Sequence, residues 1–507
     1  MRSSLALFLT LLVTACGSGG SSSFSGGSQP EDGGEGSSSG GSGGSGGGKS
    51  TGGGGSGGGS KGGSPNIGEP VQLAQGQTAL TGVTSDGWAV YRGGNVLHAV
   101  KLEEGGSVET ISDRPGTVLI RGRAVFNWAD IDWTTNLGEL TVWTEAGAEA
   151  LGEALYAETL VAASESGSAI VYTSNIGDET ADLVLYSTEL GTSQVLVESM
   201  GRGSEETCAA NIGFVGERLF VGFCEAGTRA ATIERFELDG EEWVSTVIAE
   251  DALPNWSADA EGERVFFQSS AYEAYCWMDG EAQFVDRSVS RGLIVPDGSE
   301  VFYTVGDQLR RSELPDVDPV PVVTRGYSQP IGYDPRYDHA LYSTTVTYEG
   351  GTRRDLLLVP TREQDAAPIV LIEEPIAELS RSPFTADGQF VLYFTDRQPT
   401  GATLHVVDLE GNERLVLENV VDAVAAYEST IVFADNSSDP ETYPVVADLK
   451  MIDVANDAEP RLLEGKILDA RRFGLADGGA KVVFARSGID FEPEALERDG
   501  LFFMQIR

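Results

Sequence analysis

Residues suited to acid–base, nucleophilic or metal chemistry are sparse in this chain of 507 residues. Its three histidines are His98, His339 and His405. The H-E-x-x-H pattern, which sets two imidazoles on one helix face to grip zinc, is absent. A catalytic or metal role for any histidine therefore needs partners that only the fold can bring together. Gly40-Gly41-Ser42-Gly43-Gly44 matches the G-x-S-x-G of serine hydrolases, but that motif requires a strand-turn-helix setting, and here it lies in a Gly/Ser tract. Two acidic segments, Asp130-Ile131-Asp132 and Asp435-Asn436-Ser437-Ser438-Asp439, offer oxygens that Ca²⁺ could use, without EF-hand spacing. Solvated turns are the plainer reading of both, and no other cofactor is expected. Cys208 and Cys224 flank the turn-bearing segment 211–223 and could pair across adjacent strands. Cys276 is then left over, as a buried thiol or with an outside partner. No C-x-x-C pair exists. Trp88, Trp128, Trp133 and Trp143 fall close together and form either core or, where exposed, a sugar or peptide platform.

The elements that must position these residues are short. Beyond residue 65, apolar runs rich in Val, Phe, Tyr and Ile recur between Gly, Asp, Asn and Pro turns, which is the signature of strands. The clearest unit spans 382–418. The turn Ala386-Asp387-Gly388 leads into Phe390-Val391-Leu392-Tyr393-Phe394, then a loop, then His405-Val406-Val407-Asp408, then Glu410-Gly411-Asn412 and Arg414 to Leu417. A strand exposed on one face alternates apolar and polar residues. The unbroken run at 390–394 must instead be covered on both faces. Similar units start near Trp88, Ala124, Ala169, Arg218, Val265, Val301, Ala340, Thr430 and Lys481. Their spacing of about 36–50 residues suits four-stranded propeller blades.

Composition excludes some partners. The chain has 34 Lys+Arg against 78 Asp+Glu, a formal charge of −44, which repels phosphate backbones, so no nucleic-acid partner is expected. Residues 17–64 contain 24 Gly and 15 Ser, and nothing there can build a core. A coil of that composition and length spans roughly 35–40 Å.

The first residues carry an export signal: a basic start at Arg2, an apolar run from Leu5 to Val13, and small residues before Cys16. Val13-Thr14-Ala15-Cys16 resembles the lipobox of bacterial lipoproteins. The resemblance implies cleavage before Cys16 and acyl chains on it, which anchor the protein to a lipid bilayer. Gly17, rather than Asp, leans toward the outer membrane. The expected organisation is a signal peptide over 1–15, a lipidated Cys16 with a disordered tether over 16–64, and a β-domain over 65–507. The location expected is the cell envelope, periplasmic or surface-exposed.

A second resemblance comes from Ala386-Asp387-Gly388-Gln389-Phe390 with His405 to Gly411, and from Pro296-Asp297-Gly298-Ser299-Glu300. These look like the TolB-type, or WD40-like, β-propeller repeat. Most copies lack the full Ser-Pro-Asp-Gly start. The fold class expected is an all-β propeller, with seven or eight blades preferred and ten repeat units as the upper bound. The last unit ends at Arg507 one strand short, while 70–74 reads as an outer strand with no partner. Their pairing would close the ring and remove both open edges. The function expected is a non-catalytic scaffold for a protein or glycan partner, as TolB-like propellers make protein contacts. The alternative is an envelope enzyme, of lyase or glycosidase type, working in the central cavity. A third reading, two unrelated β-domains, requires that the ring not close.

Overall fold

The computed structural model describes residues 67–507, apart from 77, 158–159, 178–179, 202–209, 226–227, 229, 324–326, 349–350, 364–366, 373–377, 399–400, 436–445, 457–458, 469–472 and 487–498. Cys16 and the tether lie outside the described residues, as does Cys208.

The described residues form 38 β-strands in antiparallel order. They group into ten four-stranded units, each running from an inner to an outer strand. In order the blades span 78–112, 117–155, 162–201, 211–250, 252–286, 289–323, 327–372, 378–418, 420–468, and 474–505 joined by 71–75. The preferred count of seven or eight blades is corrected to the upper bound of ten. No unit is an insertion, because each buries apolar side chains against both neighbours.

Ten hydrophobic cores show this, one at each interface of adjacent blades. The second strand of each blade supplies both of its faces. In Ala124–Asp132, Ala124, Phe126 and Trp128 pack toward the third blade, while Val125 packs back against Trp88 of the first. In Phe390–Gln398, Phe390, Leu392 and Phe394 face the ninth blade, and Val391 and Tyr393 face the seventh. Alternation of side chains along a strand sends successive residues to opposite faces. Apolar residues at every position thus mean a neighbour on each side.

Two strands serve two blades each. Glu242–Ala258 pairs through Glu242 to Ala249 with the fourth blade and through Trp256 to Ala258 with the fifth. Glu413–Ala425 likewise joins the eighth and ninth blades.

The ring closes on itself. Val71–Gln75 pairs with the last strand, Gly500–Gln505, setting Val71 opposite Phe503 and Gln72 opposite Phe502. The core between the tenth and first blades contains Leu80, Ala89 and Tyr91 from one side and Val483, Leu501 and Phe503 from the other. The two-domain reading is therefore set aside.

Several turns from first to second strand, among them those at 84–88 and 385–390, use the Asp-Gly chemistry seen in the sequence. Thr84 Oγ1 donates to Asp86 Oδ1 at 2.5 Å and accepts from Trp88 N at 3.0 Å. Thr385, Asp387 and Phe390 repeat the pattern at 2.7 and 3.1 Å. Gly388 takes φ +70°, a left-handed conformation that costs glycine little. Neighbouring turns are also tied together: Ser85 N donates to Gly122 O at 2.9 Å, Ala260 N to Pro296 O at 2.7 Å, and Asp387 N to Glu428 O at 3.1 Å.

Candidate binding platform and axial wall

In an antiparallel meander the first and third turns share one end of the blade, and the second turn and the crossover to the next blade share the other. The second end of the second blade carries the loop Asp130 to Asn136. There the chain leaves the alternating pattern. Asp130 and Asn136 adopt φ +51° and +57°, and the strand register shifts between Ala129 and Asp132. Short polar side chains make these conformations tolerable.

The loop is locked. Asp132 Oδ1 accepts Thr134 N at 2.9 Å, and the Asp132 carbonyl accepts Thr135 N at 3.2 Å and Asn136 N at 2.7 Å. Tyr156 N donates to the Asn136 carbonyl at 2.7 Å. Arg114 Nη1 donates to Asp130 Oδ2 at 2.8 Å. The N–H and hydroxyl of Thr134 hold the Asp132 carboxyl below the usual carboxylate range.

At the tip, Trp133 is 67% exposed. Its ring stands edge-on to Tyr156 at 5.9 Å, and Tyr156 stands edge-on to buried Trp128 at 5.4 Å, which stacks on Phe126 at 5.9 Å. An aromatic column thus runs from the core to the surface and fixes the exposed ring. The structure divides the four neighbouring tryptophans: Trp88, Trp128 and Trp143 are core, and Trp133 alone of the four is exposed.

The wall facing the ring axis carries a second constellation. Arg381, on the inner strand of the eighth blade, pairs with Asp422 of the ninth at 2.5 Å. Its guanidinium lies 5.2 Å from the Phe473 ring centroid and donates to the Phe473 carbonyl at 3.4 Å. Burial pushes the Asp422 carboxyl up, and Arg381 pulls it partly back. Leu80 to Val83 and Phe473 to Leu475 line the adjoining cavity of about 260 Å³. Close packing shapes its wall: a Cβ on Gly82 would come within 2.8 Å of Ile120 Cδ1, and one on Gly474 within 2.5 Å of Val83 Cγ2. This pair can hydrogen-bond a polar group, but it is one carboxylate with a guanidinium, not the paired carboxylates a glycosidase uses.

The remaining candidates are dispersed. His339 Nδ1 lies 2.9 Å from Asp334 Oδ2, beside a turn on the first-turn end of the seventh blade. His405 sits 2.9 Å from Thr395 and 3.2 Å from Glu413, stacked on Tyr393 at 5.0 Å. His98 lies 5.3 Å from Tyr91, ring to ring. No group of three His, Cys, Asp or Glu side chains able to hold a metal occurs among the described residues. Asp130 is taken by Arg114, and Asp435 by Lys450 at 2.5 Å. Residues 436–439 of that second acidic segment lie outside the described residues. Cys224 is buried and disulfide-bonded, whereas its expected partner, Cys208, is outside the described residues. Of the two readings of Cys276, the structure shows the buried free thiol.

No protein-family model matches the chain, and no curated protein resembles it in sequence. Solved structures match it in backbone, at low identity. A eukaryotic initiation factor matches at 10% identity and TM-score 0.45, over 70% of this chain and 90% of that one. The C-terminal WD40 domain of Sif2 matches at 11% and 0.35, over 65% and 95%. A TolB candidate from Agrobacterium tumefaciens matches at 14% and 0.25, over 44% and 86%. Strand order and the ten interblade cores make this chain an all-β propeller of ten blades.

Proposed function

We propose that the protein is a lipid-anchored envelope lipoprotein whose propeller is a non-catalytic scaffold for a protein or glycan partner. The lipobox-like Val13-Thr14-Ala15-Cys16 and the 48-residue Gly/Ser tether support the anchor. Gly17 favours the outer membrane. The observation that carries the binding role is Trp133. A large aromatic side chain left in water contributes nothing to the core, yet it is held rigid by a hydrogen-bonded loop and an aromatic column. Trp is among the residue types enriched at the few positions that carry most of the binding energy of protein interfaces.

The test is site-specific photo-crosslinking of the full chain in its native envelope. A benzophenone amino acid at 133 is expected to give a discrete adduct, while the same group at Leu462, on the outer rim of the ninth blade, gives none. Equal labelling at both sites, or none at either, would count against the platform. For the anchor, Cys16→Ser is expected to abolish incorporation of an alkyne fatty acid. Retained label would refute it.

A further inference from the structure

We infer that the Trp133 platform docks a cationic segment of a protein partner, seating a Lys or Arg side chain on the indole face between the carboxylates of Asp130 and Asp132. This rests on the platform reading above and names its partner. Three features converge on that chemistry. The exposed Trp133 face presents the ring system with the strongest attraction for a cation. The residues flanking the indole are acidic on its N-terminal side: Asp130 is two-thirds exposed and its single cation, Arg114, is equally so, while Asp132 is exposed and held ionised by Thr134. An exposed ion pair such as Arg114–Asp130 is weak, so an incoming guanidinium can displace it.

The third feature is the field around the loop. A chain with 44 more acidic than basic residues draws cationic partners toward its surface and speeds encounter. That field alone confers no address. The fixed indole with adjacent carboxylates does, because the ring needs no reordering when the partner arrives. The loop's backbone fits this role. Asp132 is held within the loop by Thr134 and Thr135, which fixes its carboxylate as a negative charge one residue from Trp133.

The experiment uses the full chain in detergent at 150 mM salt. The probe is a fluorescein-labelled peptide of alternating Lys and Arg, with alternating Gln and Asn as the neutral control, and anisotropy is the readout. Trp133→Ala is expected to weaken binding of the basic peptide about tenfold. Asp130→Asn/Asp132→Asn preserves the acceptor for Thr134 and tolerance of the left-handed turn. It is expected to weaken binding by a similar factor and flatten the salt dependence. Glu242→Gln/Glu281→Gln, on the outer strands of the fourth and fifth blades, is expected to leave it unchanged. If all the charge variants weaken binding alike and Trp133→Ala does not, the affinity is diffuse and the inference is overturned. If Trp133→Ala weakens binding of the basic and the neutral peptide alike while Asp130→Asn/Asp132→Asn is silent, the partner is not cationic, though the platform stands. Loss of the crosslink itself would instead remove the platform.

Discussion

Glu300 and Arg311 lie at the interface of the sixth and seventh blades, with side chains 2% and 1% exposed. Their closest charged atoms are 3.9 Å apart. Arg311 spends its donors on the seventh blade instead, reaching the Pro360 carbonyl at 2.9 Å and the Glu363 carbonyl. Glu300 Oε1 accepts Arg362 N at 2.8 Å. The two charges thus fasten neighbouring blades, and each compensates the other in a site without solvent. Glu300→Ala removes the carboxylate 3.9 Å from the buried guanidinium, which is expected to cost about 3–5 kcal/mol. Arg311→Met differs, because a carboxyl can escape by protonation. Burial already pushes the Glu300 carboxyl up, and Arg311 is the main influence pulling it down. Without Arg311 the folded-state value rises further above the unfolded value of about 4.3. A raised carboxyl favours folding fully below the unfolded value and loses that contribution as pH climbs through the folded value. Arg311→Met is therefore expected to be mild at pH 5 and to lose about 1.4 kcal/mol more for each pH unit above it until Glu300 ionises. Glu300→Leu/Arg311→Met, which removes both charges, is expected within about 1 kcal/mol of the parent. Urea unfolding followed by near-ultraviolet circular dichroism from pH 5 to 8 reads all three. A Glu300→Ala cost below 1 kcal/mol, or a flat pH profile for Arg311→Met, would refute the coupling.

Two further outcomes follow from burial and hydrogen bonding. Burial pushes the Cys276 thiol up to about 12, so native protein at pH 8 is expected to leave it unlabelled by iodoacetamide and to expose it only in denaturant. Rapid native labelling would contradict its place in the core between the fifth and sixth blades. Asp408 is pushed up by burial, but the Asn412 and Glu410 N–H groups, the Asn412 amide and Arg414 together hold its carboxyl below the ordinary range. Its contribution is present above the unfolded value of about 3.9 and is lost as pH falls through the lower folded value. Asp408→Asn is therefore expected to destabilise the protein at pH 7 by about 1 kcal/mol, a penalty that shrinks as pH falls below the unfolded value. A penalty that does not shrink as pH falls below about 3.9 would mean the charge is not the cause.

The all-β fold and its closing strand were legible because their signals are local. The doubly apolar run at 390–394 can only belong to a strand covered on both faces, and 70–74 is apolar with no sequence partner nearby. Ten unit starts were legible, but not that all ten are blades: the usual four to eight blades of a propeller argued for fewer, and only the cores at every interface show each unit packed on both sides. The exposure of Trp133 was hidden for another reason. The left-handed turn at Asp130 breaks the alternation that would otherwise have assigned the ring to a face. The Arg381–Asp422–Phe473 contact joins the inner strands of the eighth and ninth blades to the residue before the tenth blade's inner strand, up to 92 residues apart, and no local pattern announces it.

A single ring rather than an open array is what gives the platform a rigid support, and the closure can be tested by a covalent clasp. Gly68 N donates to the Gln505 carbonyl at 2.9 Å, and a Cβ built on Gly68 would sit 3.4 Å from Gln505 Cβ. That separation is close to the 3.5–4.5 Å of natural disulfides. Gly68→Cys/Gln505→Cys is expected to oxidise in air to a bond joining the two ends of the domain, seen by mass spectrometry as one linked pair of terminal peptides. Two free thiols at 68 and 505 in the folded protein would contradict the closed ring.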